Sequence, residues 1–252
     1  MEGTTLLNTG PAAWVVLAVL LGGAAAVWAL ALHRRFTEVL LAGARALIQL
    51  AVVAVVIAAV SPYPGLAMAF VALMFIVAVW TSGHRVAPRG RWWMAALPIA
   101  AGTLPAAGAL LLSGVLPLQA LALIAVLGQQ IGGAMATTTL AGRRVADELV
   151  LRRGEVEAAA ALGFEWPSAR RLVSRHVAGE AVLPGLDQTR TAGLVTLPGA
   201  FVGMILGGAS PIDAGIIQLL VLVSLLAVNT TAAWAAFQLA AHGLWEKPAR
   251  RR

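Results

Sequence analysis

A chain of 252 residues that is 60% hydrophobic and only 12% charged is too apolar for a water-soluble fold, and its composition suits a protein solvated largely by lipid. The net charge of +7 would favour nucleic acid in a soluble protein, but basic residues that flank membrane spans account for it, so we expect no nucleic-acid partner. The sequence has no cysteine, which excludes a disulfide framework, a thiolate metal site and a cysteine nucleophile.

Seven apolar stretches of about 20 residues are each long enough to cross a hydrocarbon core of roughly 30 Å as a helix. They cover residues 12–32, 38–60, 64–81, 93–112, 117–140, 184–208 and 213–240. The sequence therefore predicts an all-α, multi-pass membrane protein in which residues 1–252 form a single transmembrane domain.

The basic residues predict how this domain is oriented. Sixteen of the 18 fall in four clusters, all of which lie in the loops on one side of the seven spans. The clusters are Arg34 and Arg35; Arg85, Arg89 and Arg91; Arg143, Arg144, Arg152, Arg153, Arg170, Arg171 and Arg175; and Lys247, Arg250, Arg251 and Arg252. Because cytosolic loops carry the excess of Lys and Arg, this bias places the N-terminus outside and the C-terminus in the cytosol.

The third of these loops, residues 143–180, is long enough to fold by itself. Apolar residues from Leu149 to Leu162 recur at helical spacing, and Gly163 is expected to end that helix. Pro167 suits the first turn of a second helix. The pair is interpreted either as a surface loop that lies on lipid headgroups or as a docking element for a cytosolic partner.

The residue inventory excludes several kinds of chemistry. Lys247 is the sole lysine and lies in the C-terminal tail, so neither a retinal Schiff base within the membrane nor a G-x-x-x-x-G-K-[ST] phosphate loop can form. A hydrolytic site within the membrane would want a histidine there. All four histidines instead lie at or beyond cytosolic span ends: His33, His84, His176 and His242. We therefore expect no enzymatic activity and no ATPase motif in this chain.

Polar residues within the spans are few, and each is costly to place in lipid, because an arginine at the centre of a lone helix costs about 2.5 to 3.5 kcal/mol. Gln129 and Gln130 lie mid-span and are expected either to line a path or to bond neighbouring helices. Arg45, Asp187 and Arg190 lie nearer the cytosolic ends, where an interfacial role and a path role are both open. The complete set of pathway candidates is Arg45, Gln49, Gln129, Gln130, Met135, Asp187 and Arg190.

Small residues predict where helices approach closely. Gly199, Gly203 and Gly207 repeat at four-residue intervals in the sixth span, and Gly128, Gly132 and Ala136 do so in the fifth. These faces are expected to pack within the monomer or across a homodimer contact. Pro198 removes one helical hydrogen bond and predicts a kink or a broken helix in the sixth span.

Three segments resemble a known family. Residues 157–163 read E-A-A-A-A-L-G, which is similar to the coupling loop of ABC-transporter permeases. Residues 44–50, A-R-A-L-I-Q-L, and 187–199, D-Q-T-R-T-A-G-L-V-T-L-P-G, resemble the Fet-type iron-export permeases of bacterial ABC transporters, which are related to plant aluminium-sensitivity membrane proteins. The resemblance extends over residues 45–237.

That resemblance implies a permease subunit in the bacterial cytoplasmic membrane, working as a homodimer with a separate ATP-binding subunit. ATP would be bound by that subunit, with Glu157, Ala158, Ala159 and Gly163 forming the coupling contact, and this chain would need no cofactor of its own. The implied cargo is a metal ion such as iron, although plant relatives have been linked to nucleotide sugar. An ion-coupled secondary transporter and a membrane scaffold are the alternatives. Iron favours carboxylate or imidazole ligands, whereas the mid-membrane residues offer amides, hydroxyls and the thioethers of Met135 and Met204.

Overall fold

Helices make up almost all of the regular structure in the computed structural model, which describes residues 10–88 and 90–245. The bounds are α1 Pro11–Leu30, α2 Phe36–Val60, α3 Pro64–Val86, α4 Ala96–Leu112, α5 Ala120–Leu151, α6 Arg153–Ala161, α7 Trp166–Glu180, α8 Leu183–Thr191, α9 Gly199–Leu206 and α10 Pro211–Ala241, with a 3-10 turn at Trp92–Ala95 before α4. Strand pairing within the described residues is limited to one isolated bridge, between Ala192 and Thr196. The predicted all-α membrane fold is confirmed.

Six helical segments in the described part of the chain are long and apolar enough to cross a membrane: α1, α2, α3, the 3-10 turn with α4, α5 and α10. They correspond to six of the seven predicted spans. The tail basic residues Lys247, Arg250, Arg251 and Arg252, together with Arg89, lie outside the described residues.

The chain divides into two compact units, Met1–Pro62 and Tyr63–Arg252. The smaller unit is a hairpin of α1 and α2. Its two helices come close where Leu21 lies over Gly43, since a Cβ on that glycine would be 2.7 Å from Leu21 Cδ1. Trp28 Nε1 donates to the Glu38 carboxylate at 3.3 Å near the connection. None of the α2 side chains is buried.

The larger unit is built around α10, which packs against α4, α5, α7, α8 and α9. The C-terminal ends of α3, α5, α7 and α10 meet in one apolar core that includes Val86, Val145, Val182 and Ala240. Trp245 closes this core, and its ring leaves so little room that a Cβ on Gly142 would lie 2.7 Å from it. Because the basic clusters begin in the C-terminal parts of α3 and α5, the positive-inside rule assigns this end of the unit to the cytosol.

The predicted sixth span, residues 184–208, is a broken helix, one of the two forms that Pro198 predicted: two short helices are separated by the non-helical residues 192–198, here called the break. Gly193 adopts a φ of +86°, which favours glycine. Pro198 cannot donate a helical hydrogen bond and disfavours helical geometry in the residue before it. The Thr191 carbonyl instead accepts the N–H groups of Leu194, Val195 and Thr196.

The broken segment nevertheless passes from one end of the larger unit to the other. It starts after Val182, which belongs to the cytosolic core. Gly185 of α8 faces Asn229 of α10, because a Cβ built on Gly185 would lie 3.0 Å from Asn229 Nδ2. Further along, a Cβ built on Gly215, near the start of α10, would lie 4.0 Å from Phe201 Cε2 of α9. α8, the break and α9 therefore run antiparallel beside α10 as a discontinuous crossing.

The cytosolic segment is a helical hairpin, as predicted, but its first helix starts later. α5 continues to Leu151, so Leu149 and Val150 belong to it, because no glycine or proline interrupts the helix between Gly142 and that point. The hairpin of α6 and α7 has a small core of Val156, Ala159, Ala169 and Val173. Gly163, with a φ of +95°, ends α6, and Pro167 lies in the first turn of α7, as the sequence indicated.

Candidate functional site

The polar residues of α8 lie near the middle of α10. Gly185 faces Asn229, and the two helices are antiparallel. With a rise of about 1.5 Å per residue, Asp187 and Arg190 therefore lie opposite roughly residues 224–227. Since α10 runs from Pro211 to Ala241, these levels are close to its midpoint. The charged pair thus lies beside the central part of α10 and not at its C-terminal end.

Gln130 reaches the same level from α5. Its side chain is 1% exposed, and its Nε2 donates to Ser224 Oγ of α10 at 3.3 Å. Asn229 is also buried, enclosed by two glycines: a Cβ on Gly133 would lie 2.8 Å from its Oδ1. Together these residues form what we call the polar layer: Gln130, Asp187, Arg190, Ser224 and Asn229.

Two buried amide oxygens of this layer, Gln130 Oε1 and Asn229 Oδ1, have no hydrogen-bond partner among the described residues. A buried acceptor without a partner costs about 1–3 kcal/mol, so such groups usually hold water or a ligand donor. Three further oxygens on α5 and α10 share this state: Thr138 Oγ1, Gln218 Oε1 and Gln238 Oε1. The interface of α5 and α10 can therefore accept hydrogen bonds at several depths.

Asp187 and Arg190 form an ion pair one turn apart, with Oδ1 and Nη1 separated by 3.6 Å. Their side chains are 68% and 69% exposed. Charges within a membrane that faced hydrocarbon would be strongly unfavourable, and such residues face protein or a water-filled cavity instead. This face of α8 is therefore suited to meet a polar cargo or another protein surface.

Other predicted pathway residues are not brought into the polar layer. Gln129 is exposed, on a different side of α5 from Gln130, and Met135 is half-buried. Arg45 and Gln49 lie one turn apart on α2, in the smaller unit, and both are exposed. Helical periodicity separates the two glutamines, because Gln130 shares a face with the buried residues Leu127 and Ala134 whereas Gln129 does not.

The predicted glycine face does not pack against α5 within one chain. A Cβ on Gly199 or Gly203 would meet no atom within 4 Å, and one on Gly207 would meet only carbonyls of its own α9. Close approach occurs instead at Gly102, where a Cβ would lie 2.6 Å from the Val228 carbonyl oxygen of α10. Pro198 precedes α9 and helps to define the break. A contact of these glycines with a second subunit stays a prediction.

In the predicted coupling segment, the exposed apolar surface is displaced from the expected residues. Ala159 is buried against α7, and Glu157 pairs with Arg153 at 2.7 Å, while Ala158 is exposed. The largest exposed apolar groups follow: Leu162, Phe164 and Trp166, which we call the tip. Leu162 is 81% exposed. Ala159 shares a helical face with Val156, which is why it packs inward.

The hairpin behind the tip is tied to the membrane helices. Arg144 of α5 forms an ion pair with Glu180 of α7, and Glu148 lies 3.4 Å from His176 Nε2. Arg170 lies over the Trp166 ring at 5.8 Å and donates to the Ala241 carbonyl at 3.5 Å. Ala181 and Val182 alone separate α7 from α8. A displacement of the tip can therefore reach both the end of α10 and the charged pair of α8.

The described residues contain no group of three or more His, Cys, Asp or Glu side chains able to hold a metal ion. The polar layer itself offers one carboxylate, already paired with an arginine, together with neutral amides and a hydroxyl. These donors suit hydrogen-bonding or hydrated cargo better than a tightly coordinated bare ion.

Comparison with known proteins decides the family. The model of the uncharacterised protein family UPF0014 matches residues 11–245. The chain belongs to the UPF0014 family. It is a multi-pass membrane protein of a family that contains a named permease, as the resemblance implied.

Three relatives of this UPF0014 protein illustrate the range of the family. It is 35% identical over 221 residues to UPF0014 membrane protein STAR2 of Oryza sativa subsp. japonica, covering 82% of this chain and 76% of the relative. It is 32% identical to Protein ALUMINUM SENSITIVE 3 of Arabidopsis thaliana, over 73% of this chain and 69% of the relative. It is 26% identical to the Probable iron export permease protein FetB of Escherichia coli strain K12, over 75% and 74%. No solved structure matches the chain.

Proposed function

We propose that this UPF0014 protein is the membrane-spanning permease subunit of an ABC transporter that exports a metal ion such as iron. Two copies would span the bacterial cytoplasmic membrane, and a separate ATP-binding subunit would supply the energy. Similarity to the relative named as a probable iron export permease supports the cargo class. The observation that carries the proposal is the tip, three exposed apolar side chains at the end of a cytosolic hairpin that is braced against the bundle.

The tip suits a groove on a soluble partner. Leu162, Phe164 and Trp166 follow the glycine that ends α6, and their apolar surface is larger than that of the alanines before it. A short apolar projection of this kind is recognised by burial in a complementary groove. A loop that rested on headgroups would need no bracing ion pairs to α5, whereas Arg144 and Glu180 provide one.

Movement of the tip would act on the polar layer. α7 continues into α8 after two residues, so a shift of the hairpin displaces Asp187 and Arg190. The break then allows α8 to move without carrying α9 with it, because residues 192–198 lack a continuous helical hydrogen-bond ladder. ATP-driven closing of the partner subunits would thereby change which side of the membrane the charged pair faces.

An organic cargo such as a nucleotide sugar is the second candidate, and one observation favours it. The described residues lack a cluster of metal-binding side chains, while the polar layer offers an arginine, amides and a hydroxyl that match phosphate and sugar groups. An ion-coupled secondary transporter, the other alternative, would have no use for a docking tip.

The test is co-purification with candidate stand-alone ATP-binding subunits from the same genome, followed by ATPase assays in lipid nanodiscs. We expect a stable complex whose ATP hydrolysis rises with the cargo, with Fe²⁺ and a nucleotide sugar as the two probes. Stimulation by the nucleotide sugar alone would select the organic cargo. A chain that binds no ATPase and carries cargo along an ion gradient would refute the ABC assignment.

A further inference from the structure

We infer that the face formed by α8, the break and α9 is the contact surface for a second copy of this chain, with Asp187 of each protomer opposite Arg190 of the other. The inference deepens the proposed permease by locating its dimer contact. It does not depend on cargo identity or on the ATPase, so the two can fail separately.

The first argument is the exposed backbone of the break. Residues 192–198 lie beside the N-terminal half of α10, because Gly185 before them faces Asn229 and Phe201 after them faces Gly215. Leu194 in this segment is 91% exposed, and Gly193, Val195 and Thr196 are exposed as well. Irregular backbone at membrane depth is tolerated where protein or a water-filled cavity covers it, and not against lipid. α8 and α9 pack mainly on α10, so their opposite face needs another cover.

The second argument is charge. Asp187 and Arg190 lie one turn apart on α8, beside the central part of α10, and are more than two-thirds exposed. In a two-fold contact both subunits use the same patch. A contact from one residue to a second residue of the other subunit is therefore repeated with the two subunits exchanged. If the axis passes between these two residues, each aspartate faces the arginine of the other subunit. One surface then forms two intermolecular ion pairs and leaves no charge in hydrocarbon.

The third argument is room for close approach. Gly199 and Gly203 share one face of α9, and a Cβ on either would meet no atom within 4 Å. Glycines that pack inside the chain differ: a Cβ on Gly102 or Gly133 would collide with α10. Small residues allow helices to approach backbone to backbone in membranes. The open glycines of α9 extend the charged patch into a continuous, self-complementary surface.

Charge variants test the contact directly. Two differently tagged chains are co-expressed in one membrane, and each is pulled down to recover the other. The Asp187→Arg chain presents two positive charges on this face, and the Arg190→Asp chain presents two negative charges. We expect each variant to associate with itself at least about tenfold less than the wild type, because like charges repel across an interface. The mixed pair should associate as the wild type does, although neither chain retains its own ion pair.

A cross-link gives a readout that does not alter the charges. The chain has no native cysteine, so Leu194→Cys introduces the sole thiol. Its matched control is Leu104→Cys on α4, whose side chain is also exposed, at 67%. Leu194→Cys should form a disulfide-linked dimer, and Leu104→Cys should stay monomeric on oxidation.

Failure of the mixed pair to associate, or equal cross-linking at the two cysteines, overturns the interface. Such a result together with retained ATP-driven transport would leave the permease in place. An intact dimer without any ATPase partner would support the interface and sink the proposed function instead.

Discussion

α10 and the α8–α9 segment lie side by side, and both are apolar enough for the sequence to predict a span from each. α10 is one continuous helix with buried residues along its whole length, and glycines of α4, α5 and α8 lie in close contact with it. Neither α8 nor α9 buries a single residue, and the chain between them is not helical. The difference teaches that hydropathy marks a crossing without distinguishing a scaffold helix from a segment whose exposed face meets a partner or cargo.

The sharpest way to break this comparison is to enlarge one glycine of each kind. Gly102→Leu should separate α4 from α10, because even a Cβ there collides with the backbone carbonyl of Val228. Overpacking of this kind costs about 1–3 kcal/mol, and more when the backbone must move. Gly203→Leu projects into open space, so the monomer should fold normally. Thermal unfolding in detergent compares the two, and equal destabilisation would contradict the packing described for α9.

The tip offers the next largest effect. Leu162→Arg should abolish co-purification of the ATP-binding subunit, since a charge replaces the most exposed apolar group of the tip. The membrane helices should unfold at an unchanged temperature. Ala159→Arg is the contrasting variant, because that alanine is buried against α7 and its replacement should disrupt the hairpin itself. Retention of the ATPase by the Leu162 variant would show that the tip is not the docking surface.

At the polar layer, Asp187→Asn should lower transport per folded complex by about tenfold, or about 1.4 kcal/mol, while the yield of folded protein stays constant. The reason is that the exposed Asp187 carboxylate draws cations toward the path and partly offsets the charge of Arg190. Gln188→Asn, one residue away, is the matched control, since it leaves the ion pair intact. A fall in yield that matches the fall in transport would make Asp187 a structural residue.

The smallest effect concerns the two adjacent glutamines of α5. Gln130→Leu removes the bond to Ser224 and should destabilise the bundle by about 1 kcal/mol. Gln129→Leu changes an exposed side chain and should leave stability unchanged. Denaturation midpoints of the two variants test this contrast, and a larger loss in the Gln129 variant would reverse the assignment of faces.

Most of the fold follows from the sequence, because six spans are set by apolar length and by polar or proline residues at their ends. The break in residues 184–208 is predicted in part, because Pro198 indicates an interruption, whereas hydropathy does not report the φ of +86° at Gly193 or where the helices stop. The depth of Asp187 and Arg190 depends on how Asn229 fits between glycines of α5 and α8, which is a tertiary contact. The inward face of Ala159 follows from its spacing to Val156, whereas the exposure of Leu162, Phe164 and Trp166 depends on how α6 packs against α7.

Transport by reconstituted vesicles tests the central claim most directly. The chain and its ATP-binding subunit are placed in liposomes, and movement of Fe²⁺ or of a nucleotide sugar is followed with and without ATP, for the wild type and for Leu162→Arg. We predict that the wild-type complex moves one cargo when ATP is hydrolysed, and that the variant, which keeps its membrane fold, moves none. Transport that persists without ATP, or that survives in the Leu162 variant, would contradict a permease driven through the α6–α7 tip.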